Sequence, residues 1–496
     1  MRILLVEPGI TTANPLLLWG GFHTVPLGLP HLAGSLVQAG HHVEILSIVQ
    51  RFGLPVDEEA YWKRLDEIKS YLARQSYDVL GVSILTGDAY ALGLDIAEAS
   101  RSIHKGAWVI VGGYHASATW QDILIECPSV DAVVIGEGDA TAVELMDALE
   151  TGASLAEIKG SAFRQDENII RTEPRPLVAR LDDLPLPAYH TADYLDRYNV
   201  LSVLSSRGCP FGCNFCAEQT VTHGTWRSYS SARVIETINL GLKHVRTNTV
   251  SFEDPLFGLK PKPRRELLQE LLHQTAPKGI VWGAEIRVDI FDADDFALAQ
   301  EAGARSFLFG LESGSLEMLR IMKKTSDPQR YLEAAVEKAQ ILKDMNVAVH
   351  YSFLLGYPGE TFKTALETIR LARALINVAP DKTKAVFQIY VPYPGTASYH
   401  NMPTYADRYG TRVVDLKWWQ RRPLKLAIHQ GCYVSPSAKM SAGDLEIVWR
   451  KACDAIGTDT VNQELLRILA EMPKGKLITY SDLSGLATAY LARGPV

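Results

Sequence analysis

Five short apolar runs rich in β-formers mark the first third of the chain, at 3–6, 43–46, 79–84, 108–111 and 132–135. None alternates apolar with polar, so each reads as a strand covered on both faces. Between them apolar positions recur with helical spacing at 29–39, 59–74, 89–104 and 140–149. Strand and helix taking turns in this way predict an α/β fold, with a parallel, doubly wound, Rossmann-like sheet over residues 1–150. From 151 to 195 the alternation fades. There Leu181-Asp182-Asp183-Leu184-Pro185-Leu186-Pro187 reads as an extended crossing, because proline suits neither a helix interior nor a central strand. The alternation then resumes. Runs at 200–204, 249–252, 280–282 with 284–288, 306–311, 348–355 and 385–391 predict six strands, and helical patterns fall at 264–273, 296–301, 330–345 and 361–374. That is a partial (β/α)6 barrel over 196–396. Residues 397–496 lose the repeat and read as mostly helical, with helices at 407–419, 442–456 and 463–471.

A length of 496 residues exceeds one ordinary core, in keeping with several domains. The net charge of -7 gives no drive toward nucleic acid, and the pairs Arg264–Arg265 and Arg421–Arg422 read as solvated faces. No apolar segment reaches the roughly 20 residues of a membrane helix. The amino terminus, Met1-Arg2-Ile3-Leu4-Leu5-Val6 ending at Glu7-Pro8, suits a strand rather than a secretory signal. Three of the six cysteines crowd into eight positions, which argues for metal in a reducing compartment and hence for the cytoplasm. Of the others, Cys127 reads as a buried apolar residue, and Cys432 and Cys453 are isolated.

The cysteine cluster is the sharpest chemical signal. In Arg207-Gly208-Cys209-Pro210-Phe211-Gly212-Cys213-Asn214-Phe215-Cys216 the spacing is C-x3-C-x2-C, directly after an apolar strand. Three thiolates can hold three irons of a 4Fe–4S cluster and leave the fourth iron open for S-adenosylmethionine (SAM). The rival is structural zinc, which takes four ligands and would have to reach as far as His223. Polar and glycine positions also collect where the predicted strands end, the usual place for ligands in parallel sheets and barrels. In the first domain these are Thr86 with Gly87 and Asp88, then Gly112, Gly113 and His115, then Gly136, Glu137 and Gly138. In the barrel they are Glu253 and Asp254, Arg287, Glu312 and Ser313, and Gly356 with Gly359. Each could equally be an ordinary βα turn or a barrel-rim ion pair. Trp418-Trp419 followed by Arg421-Arg422 reads as packing onto the barrel, with a substrate lid as the alternative.

The cysteine segment, with Phe215 before its third cysteine, resembles the radical SAM superfamily, and the likeness extends through Phe309-Gly310-Leu311-Glu312-Ser313-Gly314 and Leu355-Gly356-Tyr357-Pro358-Gly359-Glu360-Thr361. Upstream, Pro26-Leu27-Gly28-Leu29-Pro30-His31-Leu32-Ala33, Gly40-His41-His42-Val43 and the Gly-Gly-Tyr-His and Gly-Glu-Gly loops resemble the domain of cobalamin-dependent radical SAM proteins that binds cobalamin. The resemblance implies a 4Fe–4S cluster on Cys209, Cys213 and Cys216, SAM and cobalamin. It implies that Phe215 shields the adenine side of the cluster, that Glu253 or Asp254 accepts the SAM ammonium and that Arg287 pairs its carboxylate. Glu312 and Ser313 would bind amino-acid or ribose groups, and Gly356 would let backbone approach adenine. Asp-x-His-x-x-Gly is absent, so His115 is expected at the nucleotide tail rather than on cobalt, which the loop at 85–88 would face. The implied activity is methyl transfer to a weakly reactive carbon of a small-molecule or lipid-like substrate, with flavodoxin or ferredoxin as electron donor. The alternatives are cyclisation, rearrangement or oxygen insertion with the same cofactors, and a cobalamin sensor or carrier with structural zinc.

Overall fold

Alternate side chains of the first strand, β1 (Arg2–Glu7), enter two different cores. Leu4 and Val6 pack with residues of the helices Glu58–Leu72 and Tyr90–Ile103, whereas Ile3 and Leu5 pack with Gly28–Gln38 and Gly138–Thr151. This period of two, with a helical layer on each side, is why the run has no polar interior position. The structure, a computed structural model, describes residues 1–9, 25, 27–55, 57–420, 433–456 and 477–478. Around β1 lie β2 (His42–Ser47), β3 (Val79–Ser83), β4 (Trp108–Gly112) and β5 (Ala132–Val134), all parallel, in the order β2-β1-β3-β4-β5. The doubly wound sheet is therefore present, and its strand order reverses between β1 and β3.

Two further strands, β6 (Ser161–Gln165) and β7 (Asn168–Arg171), form an antiparallel hairpin that extends this sheet beyond β5. They fall in the stretch whose fading pattern suggested only a crossing. Five and four residues are too few to establish a period, and β7 is only half-buried.

The second sheet has six parallel strands in chain order: β8 (Leu201–Val203), β9 (Thr249–Phe252), β10 (Val281–Ile286), β11 (Ala304–Glu312), β12 (Ala348–Leu355) and β13 (Thr383–Ile389). β8 and β13 are its two edges, so the barrel is partial, as expected. Helices Ser231–Gly241, Pro261–Gln274, Ala293–Glu301, Pro328–Leu342 and Phe362–Val378 make the five crossovers. Side chains set where they begin. Asp292 and Asp295 close one capping box, and Thr361 and Thr364 another. On β12, Val349, Tyr351, Phe353 and Leu355 are buried in the core beneath the helices, while Ala348, His350, Ser352 and Leu354 between them are half-buried.

A helix over 407–419 is not formed. The helix Met402–Tyr409 stops at Gly410, and beyond it a stretch rich in β-branched residues (Thr411, Val413, Val414) contains a short strand, Arg412–Val413, paired antiparallel with Val434–Ser435. The helix near 442 is present as Ala442–Ala455 and is anchored to the barrel by the Trp449 indole, which donates to the Phe387 carbonyl at 2.7 Å. The helix expected at 463–471, Cys432, and the pair Arg421–Arg422 lie outside the described residues. Among the described residues no helix is long and apolar enough to cross a membrane.

Candidate active site

β8 leads directly into the loop that carries the clustered cysteines. Its first residues are fixed by Asp254, just past β9, whose carboxylate accepts from the Ser205 amide at 3.1 Å, the Ser205 hydroxyl at 2.7 Å and the Ser206 hydroxyl at 2.5 Å. At Gly208 the backbone turns with φ +89°, and a Cβ there would stand 1.9 Å from the Thr225 carbonyl oxygen, so only glycine fits. Gln219 then donates to the carbonyls of Cys209 at 3.0 Å and Phe211 at 2.6 Å, and the Asn214 amide group donates to the Ile321 carbonyl at 3.1 Å. These contacts hold the backbone and leave the sulfurs to other work. Cys209, Cys213 and Cys216 are free thiols. Burial pushes all three above the usual thiol range, Cys216 to about 12. A metal that binds such a sulfur displaces its proton to solvent, which a buried thiol otherwise keeps. Two cations assist: Arg287 lies over the Phe211 ring at 3.7 Å, and Lys324 lies 6.0 Å from the centre of the Phe215 ring.

The donor set suits iron and sulfide better than zinc. No three His, Cys, Asp or Glu groups among the described residues converge on a single ion, as a mononuclear site demands. His223, the reserve zinc ligand, is exposed at the end of the short helix Glu218–Thr222. Three soft thiolates on one loop match three irons of a cluster with its fourth iron open.

A cavity of about 830 Å³ opens beside this loop, with Cys216 on its wall. On one side it is lined by the barrel interior, including Ser251, Glu253, Glu285 and Ser306. On the other it is lined by Leu85 and Thr86, from the loop that follows β3, and by Tyr114 and His115, which open the helix after β4. Glu253 and Glu285 line this space and are exposed, and among the described residues neither accepts a side-chain hydrogen bond. The Glu285 side chain is exposed to the cavity, though protein crowds it on the barrel side. Desolvation by that crowding raises it to about 7, with Lys324 opposing. Across the cavity, Gly113 at φ +111° brings its backbone so near Ile84 that a Cβ would lie 2.6 Å from the carbonyl oxygen. His115 is buried between the rings of Tyr90 and Trp419, at 5.6 and 5.2 Å, and its Nε2 has no partner among the described residues. Burial lowers its pKa to about 3, so the ring is neutral. An unpaired neutral nitrogen beside glycine loops fits the amide and hydroxyl groups of a large cofactor such as cobalamin.

Residues 16–146 match the B12 binding domain, and residues 203–372 match the Radical SAM superfamily. An uncharacterized methyltransferase of Pyrococcus horikoshii is 31% identical over 404 residues, covering 80% of this chain and 82% of that protein. The chain belongs to the radical SAM enzymes that carry a B12-binding domain. This radical SAM enzyme is also similar to the anaerobic magnesium-protoporphyrin IX monomethyl ester cyclase of Rubrivivax gelatinosus, 23% identical over 408 residues, or 79% of the chain and 68% of the cyclase. Among solved structures, the radical SAM methyltransferase TsrM of Kitasatospora setae, with cobalamin and a 4Fe–4S cluster bound, has a TM-score of 0.64 at 19% identity, over 83% of this chain and 80% of that one.

Within this radical SAM enzyme, the strand-end residues expected around SAM divide sharply. Glu253 faces the cavity, and Phe215 stands beside the cysteines with its ring 6.4 Å from Tyr357. The others are engaged by protein. Asp254 is closed on its serines. Arg287 donates to Asp289 at 3.0 and 2.8 Å and to the Lys324 carbonyl at 3.1 Å. Glu312, at the strained φ of +68°, accepts from Lys324 at 2.9 Å. Ser313 is buried against Thr368 at 3.0 Å. Gly356 lies under Leu445, where a Cβ would be 2.3 Å from a methyl carbon, and its amide donates to Glu360 at 2.6 Å. The four side chains and this glycine thus hold the strand ends around the cysteine loop.

The residues expected around cobalamin divide likewise. Thr86 and His115 line the cavity, and Gly112, Gly113, Gly136 and Gly138 form the turns behind it. Glu137, however, is taken by Arg227 at 2.6 and 3.0 Å. Trp418 and Trp419 pack on both domains: the Trp418 indole donates to the Pro392 carbonyl at 3.4 Å and its ring meets Tyr393 at the barrel's end, and the pair also covers the first domain. Trp418 presses on Gly87, and Trp419 closes over His115. Tyr114 and Glu285 also line the cavity, at strand ends where the sequence reading gave them no ligand of their own. An acid in the otherwise uncharged strand Val281–Ile286 was the available signal for Glu285.

Proposed function

We propose that this enzyme is a cobalamin-dependent radical SAM C-methyltransferase that acts on a small-molecule or lipid-like substrate in the cytoplasm, with a flavodoxin or ferredoxin as electron donor. The observation behind the reading is the single cavity lined by both the cysteine-loop side and the loops of the B12-binding domain. When bound, the cofactors supply a 5′-deoxyadenosyl radical and a transferable methyl group. The chain's own groups set the stage. Cys209, Cys213 and Cys216 hold the irons. Arg287 and Lys324 offset their negative charge. Glu253 is placed to accept the ammonium of SAM. Leu85, 57% exposed at the cavity, offers an apolar surface with no atom able to ligate a metal.

Holoenzyme reconstituted without oxygen, given SAM labelled in its methyl group and a strong reductant, should form about one equivalent of S-adenosylhomocysteine per bound cobalamin, with label on the cobalamin, and 5′-deoxyadenosine besides. Cys213→Ala should abolish 5′-deoxyadenosine and leave cobalamin bound. Deoxyadenosine without S-adenosylhomocysteine would instead favour a second reading, cyclisation or a related radical reaction without methyl transfer, which the similarity to the cyclase supports.

A further inference from the structure

The cysteine loop is tied to the B12-binding domain at both of its ends. Arg207, two residues before Cys209, grips Asp139 with both terminal nitrogens, at 2.7 and 3.2 Å. Glu218, two residues after Cys216, accepts from the Tyr114 hydroxyl at 2.9 Å. Asp139 sits in the first turn of the helix that follows β5, and Tyr114 begins the helix that follows Gly113. A third contact reinforces the first. Ser206–Arg207 pairs antiparallel with Arg227–Ser228, so Arg227 stands beside Arg207 and grips Glu137, two residues from Asp139.

Two arginines and two acids form a neutral, nearly buried set, with side-chain exposures between 8% and 13%. Such pairs contribute little net stability compared with an apolar contact of equal size. What bidentate pairs do provide is a fixed direction and separation. We infer that Arg207–Asp139 and Tyr114–Glu218 are positioning pairs that bracket the cysteine loop and set the separation between the iron–sulfur cluster and cobalamin. The inference rests on the proposed function, since it requires both cofactors.

The test uses holoenzyme reduced so that cob(II)alamin and the cluster are both paramagnetic. Spin relaxation of cob(II)alamin caused by the cluster falls with the sixth power of their separation. A displacement of about 1 Å, enough to cost on the order of 10²-fold at a reacting pair, then alters the rate by roughly 1.5-fold or more at separations below ~14 Å. Asp139→Asn and Tyr114→Phe are expected to keep both cofactors at wild-type content and to change that relaxation rate by at least this factor. Asp139→Glu, which retains the charge, should recover part of it. Unchanged relaxation in both variants with full cofactor content overturns the inference. If Asp139→Asn fails to fold, Tyr114→Phe decides alone, because Glu218 keeps its bond from Thr222 at 3.2 Å. Wild-type enzyme showing no cluster-induced relaxation would instead count against the two-cofactor reading itself.

Discussion

Two glycines of the cysteine loop, four residues apart, should respond oppositely to the same substitution. Gly208→Ala places a methyl group 1.9 Å from the Thr225 carbonyl oxygen and 3.0 Å from its carbon, in a backbone with φ +89°. The opposing atoms are backbone and must retreat by about 1 Å. Holding a non-glycine residue in that conformation costs about 1–3 kcal/mol, and forcing a group into packed space costs about 1–3 kcal/mol more. The sum, on the order of 2–6 kcal/mol, is comparable with the whole stability of many domains. It falls on a loop held by a few hydrogen bonds, so local opening of the cysteine segment is expected before global unfolding. Gly212→Ala adds the same methyl where nothing lies within 4 Å, at a position without positive φ. Iron and sulfide content after anaerobic reconstitution, with 5′-deoxyadenosine formation, gives the readout. Gly208→Ala should lose most of its cluster while titrating cobalamin normally, and Gly212→Ala should match wild type. Full cluster content and normal SAM cleavage in Gly208→Ala would refute the argument. So would equal loss in both variants, which would mean that the loop rejects any methyl regardless of geometry.

Gly113→Ala carries the same logic to the other cofactor. Its Cβ would lie 2.6 Å from the Ile84 carbonyl oxygen, so cobalamin affinity should fall at least tenfold in a spectroscopic titration while iron and sulfide stay at wild-type content. Glu360→Gln tests a buried carboxyl. Glu360 accepts from the Gly356 amide and the Thr364 hydroxyl, but burial outweighs them and raises it to about 7. Because the folded state keeps this proton above the unfolded value near 4.5, wild type loses stability as pH rises from there to about 7. Between pH 5 and 8 the denaturant-measured stability of Glu360→Gln should therefore improve relative to wild type by up to about 3 kcal/mol. A pH-independent difference would contradict this.

The cysteine segment stood out in the sequence because holding three irons would demand a particular atom at a particular spacing, and no packing argument competes with that. The buried strands were legible for a similar reason, since a strand covered on both faces admits almost no polar residue. Pairing among polar residues is a different matter. Glu253 and Asp254 are adjacent acids at one strand end, yet successive side chains leave a strand in opposite directions. One faces the cavity and the other closes on Ser205 and Ser206. Nothing in the local sequence says which does which, because the choice depends on where β8 passes. Trp418 and Trp419 present the same problem on a larger scale. Their bulk announces burial, but only the return of the chain past Gly87 and His115 selects the surface.

The distinction between engaged and unengaged groups sharpens what the strand ends are for. Asp254, Arg287, Glu312 and Glu137 each satisfy a protein partner, and replacing any of them would be felt first as a misplaced loop. Glu253, Glu285 and His115 are different. They border the cavity, and each retains a polar atom without a partner among the described residues. Of the three only the His115 Nε2 is buried and unpaired, at a cost of about 1–3 kcal/mol, while Glu253 and Glu285 are exposed to the cavity. The three lie on opposite sides of the cavity, two on the barrel and one on the B12-binding domain. Under the proposed function these are the groups placed to meet SAM and cobalamin from the two sides.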